Sequence, residues 1–310
     1  MASASADPYP DDGSPTKETL KNKQGLSLAC FLWEVQQPKF IVVGLHGYSA
    51  HAHIEWMMHP KLTYEGSWAQ KFNKAGASLC AYDHQSFGRS EGWHGYKATC
   101  QHFDDFVDDA HLVIKTVRQR TKSQGRLPLI LLGMSMGGLI ATRTTQTDSE
   151  GDIDALILMS PMLSLEKVKA KPINRILLPL LGAVSAVLPN LALGEKEESP
   201  FPEEREVEQN DPYFYKGRIR TRFAKENLAG VAKVEADLAK VAVPMLILVN
   251  PDDTLVEPDG AYRLHKEASS KEKTLLEFPD RWHALHHEPG NEVIFEHTIE
   301  WIKKQIGPDN

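Results

Sequence analysis

The chain has 310 residues, 41% of them hydrophobic and 25% charged, with a formal net charge of −7. That is enough chain for one large domain or two ordinary ones, with a sizeable core, and the composition is that of a soluble globular protein. The acidic balance, without any basic stripe, argues against a nucleic-acid-binding role.

The opening stretch, MASASADPYPDDGSPTKE, has acidic, proline and small residues where a secretory leader needs a basic end and an apolar run. Residues 1–24 are therefore expected to form a disordered tail of a cytosolic protein. Cys30, Cys80 and Cys100 fit neither CxxC nor zinc spacing and read as buried free thiols in a reducing compartment.

From Gly25 onward, short β-rich runs alternate with helical patterns. The strand candidates are LSLACFLWEV, FIVVGLHG, SLCAYDH, LPLILLGMS, DALILMSP, PMLILVNP and TLLEFP. After the first, several are apolar at successive positions, as in strands covered on both faces of a mostly parallel sheet. Between them, Phe103, Phe106, Val107, Ala110, Ile114 and Val117 recur at helical spacing, and a similar pattern runs from Asn291 to Ile306. The alternation predicts a doubly wound α/β core over residues 25–162 and 242–310.

About eighty residues separate the strand ending near Ser160 from the one starting at Val243, far more than an α/β connection needs. Residues 163–241 are read as an inserted helical cap, or lid. Ile176 to Leu193 carries no charge for nearly a membrane span but is interrupted by Pro179, Gly182 and Pro189. Pro179 is expected to start a helix and Pro189 to end it, leaving an element too short to cross a bilayer. Its stripe, including Leu177, Leu181 and Val184, has two readings. It packs against its own domain, or it lies exposed at the mouth of a pocket and docks on membranes.

Gly133, Ser135 and Gly137 form G-x-S-x-G where a strand runs into a helix, with Gly138 behind them. A nucleophile on such a sharp turn needs small neighbours, and the helix N-terminus faces it. A serine hydroxyl needs a base and a carboxylate downstream. NPDDTLVEP supplies Asp252 and Asp253 after one strand, and DRWHALHHEPG supplies His283, His286 and His287 after the next. The main-chain N–H of Met136, with that of Tyr48 presented by the turn at Gly47, completes an expected oxyanion hole.

HGYS, YDHQSFGRSEG, GMSMGG, NPDDTLVEP and WHALHHEP together resemble the monoacylglycerol lipase and lysophospholipase branch of the α/β-hydrolase family, from about Gly25 to the end. VLPNLALG and NDPYF resemble the cap of monoacylglycerol lipases. The motif from Asp83 to Gly92 departs from the branch only in carrying Ser86 for its first glycine. The resemblance implies Ser135 as nucleophile, His283 as base and Asp253 as acid, with Asp252 as the fallback, and no metal or cofactor. It also implies hydrolysis of a single-chain lipid ester, most simply a monoacylglycerol, because the cap has no basic cluster to hold a phosphate. Lysophospholipid, other esters and amides stay open. An epoxide hydrolase or dehalogenase would carry aspartate at position 135, and a silent binding protein would lose a triad position; none is lost. The sequence sets no oligomeric state.

Overall fold

Valine, leucine and isoleucine in unbroken runs make strands only where both faces of the sheet are covered. In the computed structural model, which describes residues 8–194 and 198–307, alternate positions of the central strands enter two separate cores. Ile41, Val43 and Leu131 pack with Phe106, Ile114 and Ile140, while Val42, Ile130 and Leu132 pack with Trp68, Phe72 and Ile302.

The strands are β1 (Thr16–Lys21), β2 (Ser27–Trp33), β3 (Phe40–Leu45), β4 (Ala77–Tyr82), β5 (Leu129–Met134), β6 (Ala155–Met159), β7 (Ala192–Leu193), β8 (Ile219–Arg220), β9 (Met245–Val249) and β10 (Lys273–Glu277). The helices are α1 (Ala52–Trp56), α2 (Trp68–Lys74), α3 (Asp104–Arg120), α4 (Met136–Gln146), α5 (Glu166–Ala170), α6 (Pro172–Val187), α7 (Pro202–Asn210), α8 (Thr221–Ala236), α9 (Asp259–Glu267) and α10 (Glu292–Ile306). Eight strands form one sheet in the order β1-β2-β4-β3-β5-β6-β9-β10. Its two pairings that involve β2 are antiparallel, and the rest are parallel. This is the expected doubly wound α/β-hydrolase arrangement, with α3, α4 and α9 on one face and α1, α2 and α10 on the other. The three cysteines are free and buried.

The expected tail needs correction. Residues 1–7 lie outside the described residues, but Tyr9 is buried, and β1 pairs antiparallel with β2 from Thr16↔Leu32 to Lys21↔Ser27. An edge strand draws its order from its neighbour's free N–H and C=O groups and needs little apolar content, so TKETLK carries a faint hydrophobic signal.

The helix start at Pro179 is also corrected. Helix α6 begins at Pro172 and runs through Pro179. A proline inside a helix removes one hydrogen bond and costs about 3 kcal/mol. Pro172 is the proline at the helix start, where a missing N–H is harmless. Helices α5 to α8 and the antiparallel pair β7–β8 all fall between residues 163 and 241. Of these, α8 rests on the core through Phe223, Val231 and Val234, and α6 packs on α8. No helix among the described residues is long and apolar enough to cross a membrane.

Candidate active site

Ser135 stands alone between β5 and α4 with φ 52° and ψ −115°, a backbone conformation that a non-glycine residue holds only under constraint. Its N–H donates to the Met159 carbonyl at 3.0 Å, and its own carbonyl accepts from Met162 N–H at 3.0 Å and Gly138 N–H at 2.9 Å. Sterics explain the glycines around it. A Cβ at Gly133 would lie 2.4 Å from the Gly137 oxygen, one at Gly137 2.2 Å from the Leu45 oxygen, and one at Gly138 2.7 Å from Pro161.

The loops after β9 and β10 bring Asp253 and His283 together. Their Oδ2 and Nδ1 atoms are 2.7 Å apart, and both side chains are buried. The other oxygen of Asp253 accepts the N–H groups of Leu255 at 2.8 Å and Val256 at 3.0 Å, which aims the carboxylate. Asp252 is exposed, and its N–H is turned to Asn250. His283 is held by partners that the sequence reading did not single out. Glu288, fully buried, accepts the N–H of Trp282 at 2.7 Å and of His283 at 2.8 Å, and Ser160 Oγ donates to the His283 carbonyl at 2.8 Å. Both act through main-chain groups, and the only available signal was Glu288 within the histidine motif.

The turn after β3 lies against Ser135: a Cβ at Gly47 would come 3.4 Å from that of Ser135. Gly47 N–H donates to Glu55 at 2.7 Å, and the Gly47 carbonyl lies 2.8 Å from His46 Nδ1. Because His46 Nε2 accepts the N–H of His84 at 2.9 Å, the ring carries its proton on Nδ1 and donates it to that carbonyl. Burial holds His46 neutral, lowering its pKa to about 4. In a planar trans peptide the C=O and N–H point oppositely, so engaging the Gly47 oxygen turns the Tyr48 N–H away from His46. Burial alone would raise the Glu55 carboxyl, but His286, whose Nε2 lies 2.7 Å away, and the Gly47 N–H outweigh it and hold it below the usual range.

The aspartate motif braces this turn from behind. Asp83 accepts the N–H of Ala52 at 2.8 Å and of Arg89 at 2.7 Å, and a Cβ at Gly88 would collide with its carboxylate at 2.2 Å. Ser86 takes φ 71°, the left-handed region that favours the family's glycine, and its hydroxyl donates to the Tyr96 carbonyl at 3.1 Å.

Ser135, His283, Tyr48 and Met136 open on one mostly apolar cavity of about 960 Å³. Leu177, Leu181 and Val184 from α6 line it too, with Leu177 50% exposed and Leu181 9%. Its polar lining includes Glu55, His59, Glu204, Glu208 and Arg218. Glu55, His286 and His287 are the one set among the described residues whose ligand-type atoms lie within 4.8 Å of one another. Glu55 is already engaged by Gly47 and His286.

Residues 36–290 match the family model described as serine aminopeptidase, S33. Over 294 residues the chain is 31% identical to monoglyceride lipase of Homo sapiens, an alignment covering 92% of this chain and 90% of that protein. The crystal structure of a soluble variant of monoglyceride lipase from Saccharomyces cerevisiae, in complex with a substrate analog, is similar with a TM-score of 0.77 at 18% identity, covering 94% of this chain and 95% of that one. That of Paleococcus ferrophilus monoacylglycerol lipase has a TM-score of 0.69 at 22% identity, covering 90% and 99%. At these identities the two structures speak to the fold.

Proposed function

We propose that this chain, which belongs to the serine aminopeptidase, S33, family of α/β-hydrolases and is a lipase-like serine ester hydrolase, cleaves monoacylglycerol to fatty acid and glycerol through Ser135, His283 and Asp253. The observation that carries the reading is that His283, hydrogen-bonded to Asp253 behind it, opens with the strained Ser135 on one large apolar cavity.

With Asp253 accepting from Nδ1–H, the imidazole of His283 keeps Nε2 as its basic nitrogen. Nε2 takes the proton of the Ser135 hydroxyl as Oγ attacks the ester carbonyl. Negative charge moves to the carbonyl oxygen, where the N–H groups of Tyr48 and Met136 receive it. The intermediate collapses, the C–O bond to glycerol breaks, and His283 returns its proton to the departing alkoxide. Water, deprotonated by the same nitrogen, then attacks the acyl-serine; the bond from the acyl carbon to Ser135 Oγ breaks, Oγ takes the proton back from His283, and the fatty acid leaves. None of these steps calls on a metal.

Residues 163–241 act in this reading as a cap, with Leu177, Leu181 and Val184 against the acyl chain. Ile173, Leu180, Val187 and Leu188 are each at least half exposed on or just beyond the same helix. An apolar face of that kind favours peripheral contact with the membranes that hold the substrate, consistent with a cytoplasmic enzyme that visits lipid surfaces.

A panel of long-chain monoacylglycerol, lysophospholipid, a soluble short-chain ester and a peptide amide tests the assignment. The highest kcat/KM is expected for monoacylglycerol. A preference of about tenfold or more for lysophospholipid or amide would reassign the substrate.

A further inference from the structure

The segment before β1 is anchored through one buried tyrosine. Tyr9 is 4% exposed, and its hydroxyl donates to Asp211 Oδ2 at 2.6 Å. Its ring stacks on His53 at 4.6 Å, and the Arg89 guanidinium lies 4.8 Å from it and 4.4 Å from Tyr213. Asp12 extends the anchor, lying 3.0 Å from His53 Nε2.

Asp211 belongs to the insertion and follows α7. Its Oδ1 accepts the N–H groups of Tyr213 at 2.7 Å and Phe214 at 2.8 Å, and lies 3.0 Å from His51 Nε2. One residue further on, Tyr215 N–H donates to the Ser49 carbonyl at 2.9 Å. One fully buried carboxylate thus gathers the turn after α7, the loop that follows β3, and the N-terminal segment. Burial alone would raise this carboxyl, but the bonds from His51 and Tyr9 hold it well below its ordinary range. Beyond that turn the insertion continues directly into β8 and α8, and Phe214, Ile219 and Phe223 line the cavity.

We propose that Tyr9 is a positioning residue for the acyl cavity: through Asp211 it seats the inserted segment so that the wall from Phe214 to Phe223 holds a long acyl chain. The proposal rests on the reading of residues 163–241 as a cap over an acyl site. A short-chain ester needs the reacting groups but little of that wall, whereas a long chain needs both. Removing the Tyr9 hydroxyl takes one charge-assisted hydrogen bond from a buried carboxylate, together with the 3.3 Å contact to His51 Nε2, and leaves the ring packing in place.

Tyr9→Phe in the full chain is the test. It should lower kcat/KM for a long-chain monoacylglycerol about tenfold while changing that for a soluble short-chain ester by less than about twofold. Amide hydrogen exchange over residues 202–216 should quicken by a similar factor, with Tm lowered by no more than about 5 °C. An equal fall for both esters, or unaltered exchange over 202–216, would overturn the proposal, since a merely structural hydroxyl lowers both activities together. If the wild-type enzyme itself shows no preference for long chains, the cap reading fails first. The exchange measurement still decides whether Tyr9 seats the segment.

Discussion

The buried carboxylate of Glu288 accepts the main-chain N–H of His283 at 2.8 Å, so the loop carrying the proposed base is fixed from its own C-terminal side. A loop held this way keeps the imidazole within reach of the reacting atoms, and a misplacement of about 1 Å is worth about a hundredfold in rate. Glu288→Ala should therefore lower kcat about ten- to a hundredfold with KM little changed. Glu288→Gln, which keeps one acceptor oxygen, should fall between it and wild type. Steady-state kinetics on a soluble ester checks both.

The two neighbouring aspartates should separate sharply. Asp253 Oδ2 lies 2.7 Å from His283 Nδ1, whereas Asp252 is exposed. Asp253→Asn should lower kcat about 10⁴-fold, because an amide no longer favours the tautomer that leaves Nε2 basic. Asp252→Asn should change it by less than about threefold. The same two variants compared by thermal melting show that the difference is chemical.

Contact with a lipid surface should depend on residues outside the cavity lining. Ile173 is 58% exposed and Val187 78%, and changes at such positions leave stability within about 0.5 kcal/mol. The double change Ile173→Glu with Val187→Glu should reduce flotation with phosphatidylcholine vesicles about tenfold or more. Hydrolysis of a soluble short-chain ester should stay the same. Unchanged flotation of the double variant would remove α6 as the docking face.

Stability should carry a pH signature from Asp109. Burial raises its pKa from 3.8 to about 7, against hydrogen bonds from Gln85 and Asn22. Between those values the folded state keeps a proton that the unfolded state has lost, so this group's contribution falls as pH rises through the window. The difference in unfolding free energy between wild type and Asp109→Asn should therefore slope downward from about pH 4 to 7 and flatten above. Denaturant melts across that range read the slope directly.

The features legible in the sequence are those whose physics is local. The steric demands of Gly133, Gly137 and Gly138 spell out the turn at Ser135, and strands covered on both faces appear as unbroken apolar runs. The pairing of Asp253 with His283 is readable because both sit at consecutive strand ends. Strand β1 is not, since its order comes from the edge of β2 rather than from its own side chains. Tyr9 and Ser160 are equally silent, and Glu288 shows only as part of the histidine motif: their partners lie far off in sequence or are main-chain groups that any residue type would offer. The start of helix α6 is not legible, because a proline inside a helix and one at its first turn look alike in a sequence.

The most direct test of the central claim is to treat the protein with a fluorophosphonate, digest it and locate the adduct by mass spectrometry, then to assay Ser135→Ala on monoacylglycerol. The adduct should sit on Ser135 alone, and the alanine variant, folded to the same Tm, should lose both labelling and turnover down to the small residual rate that binding and the oxyanion N–H groups sustain. Labelling at another residue, or unchanged hydrolysis by Ser135→Ala, would contradict the account.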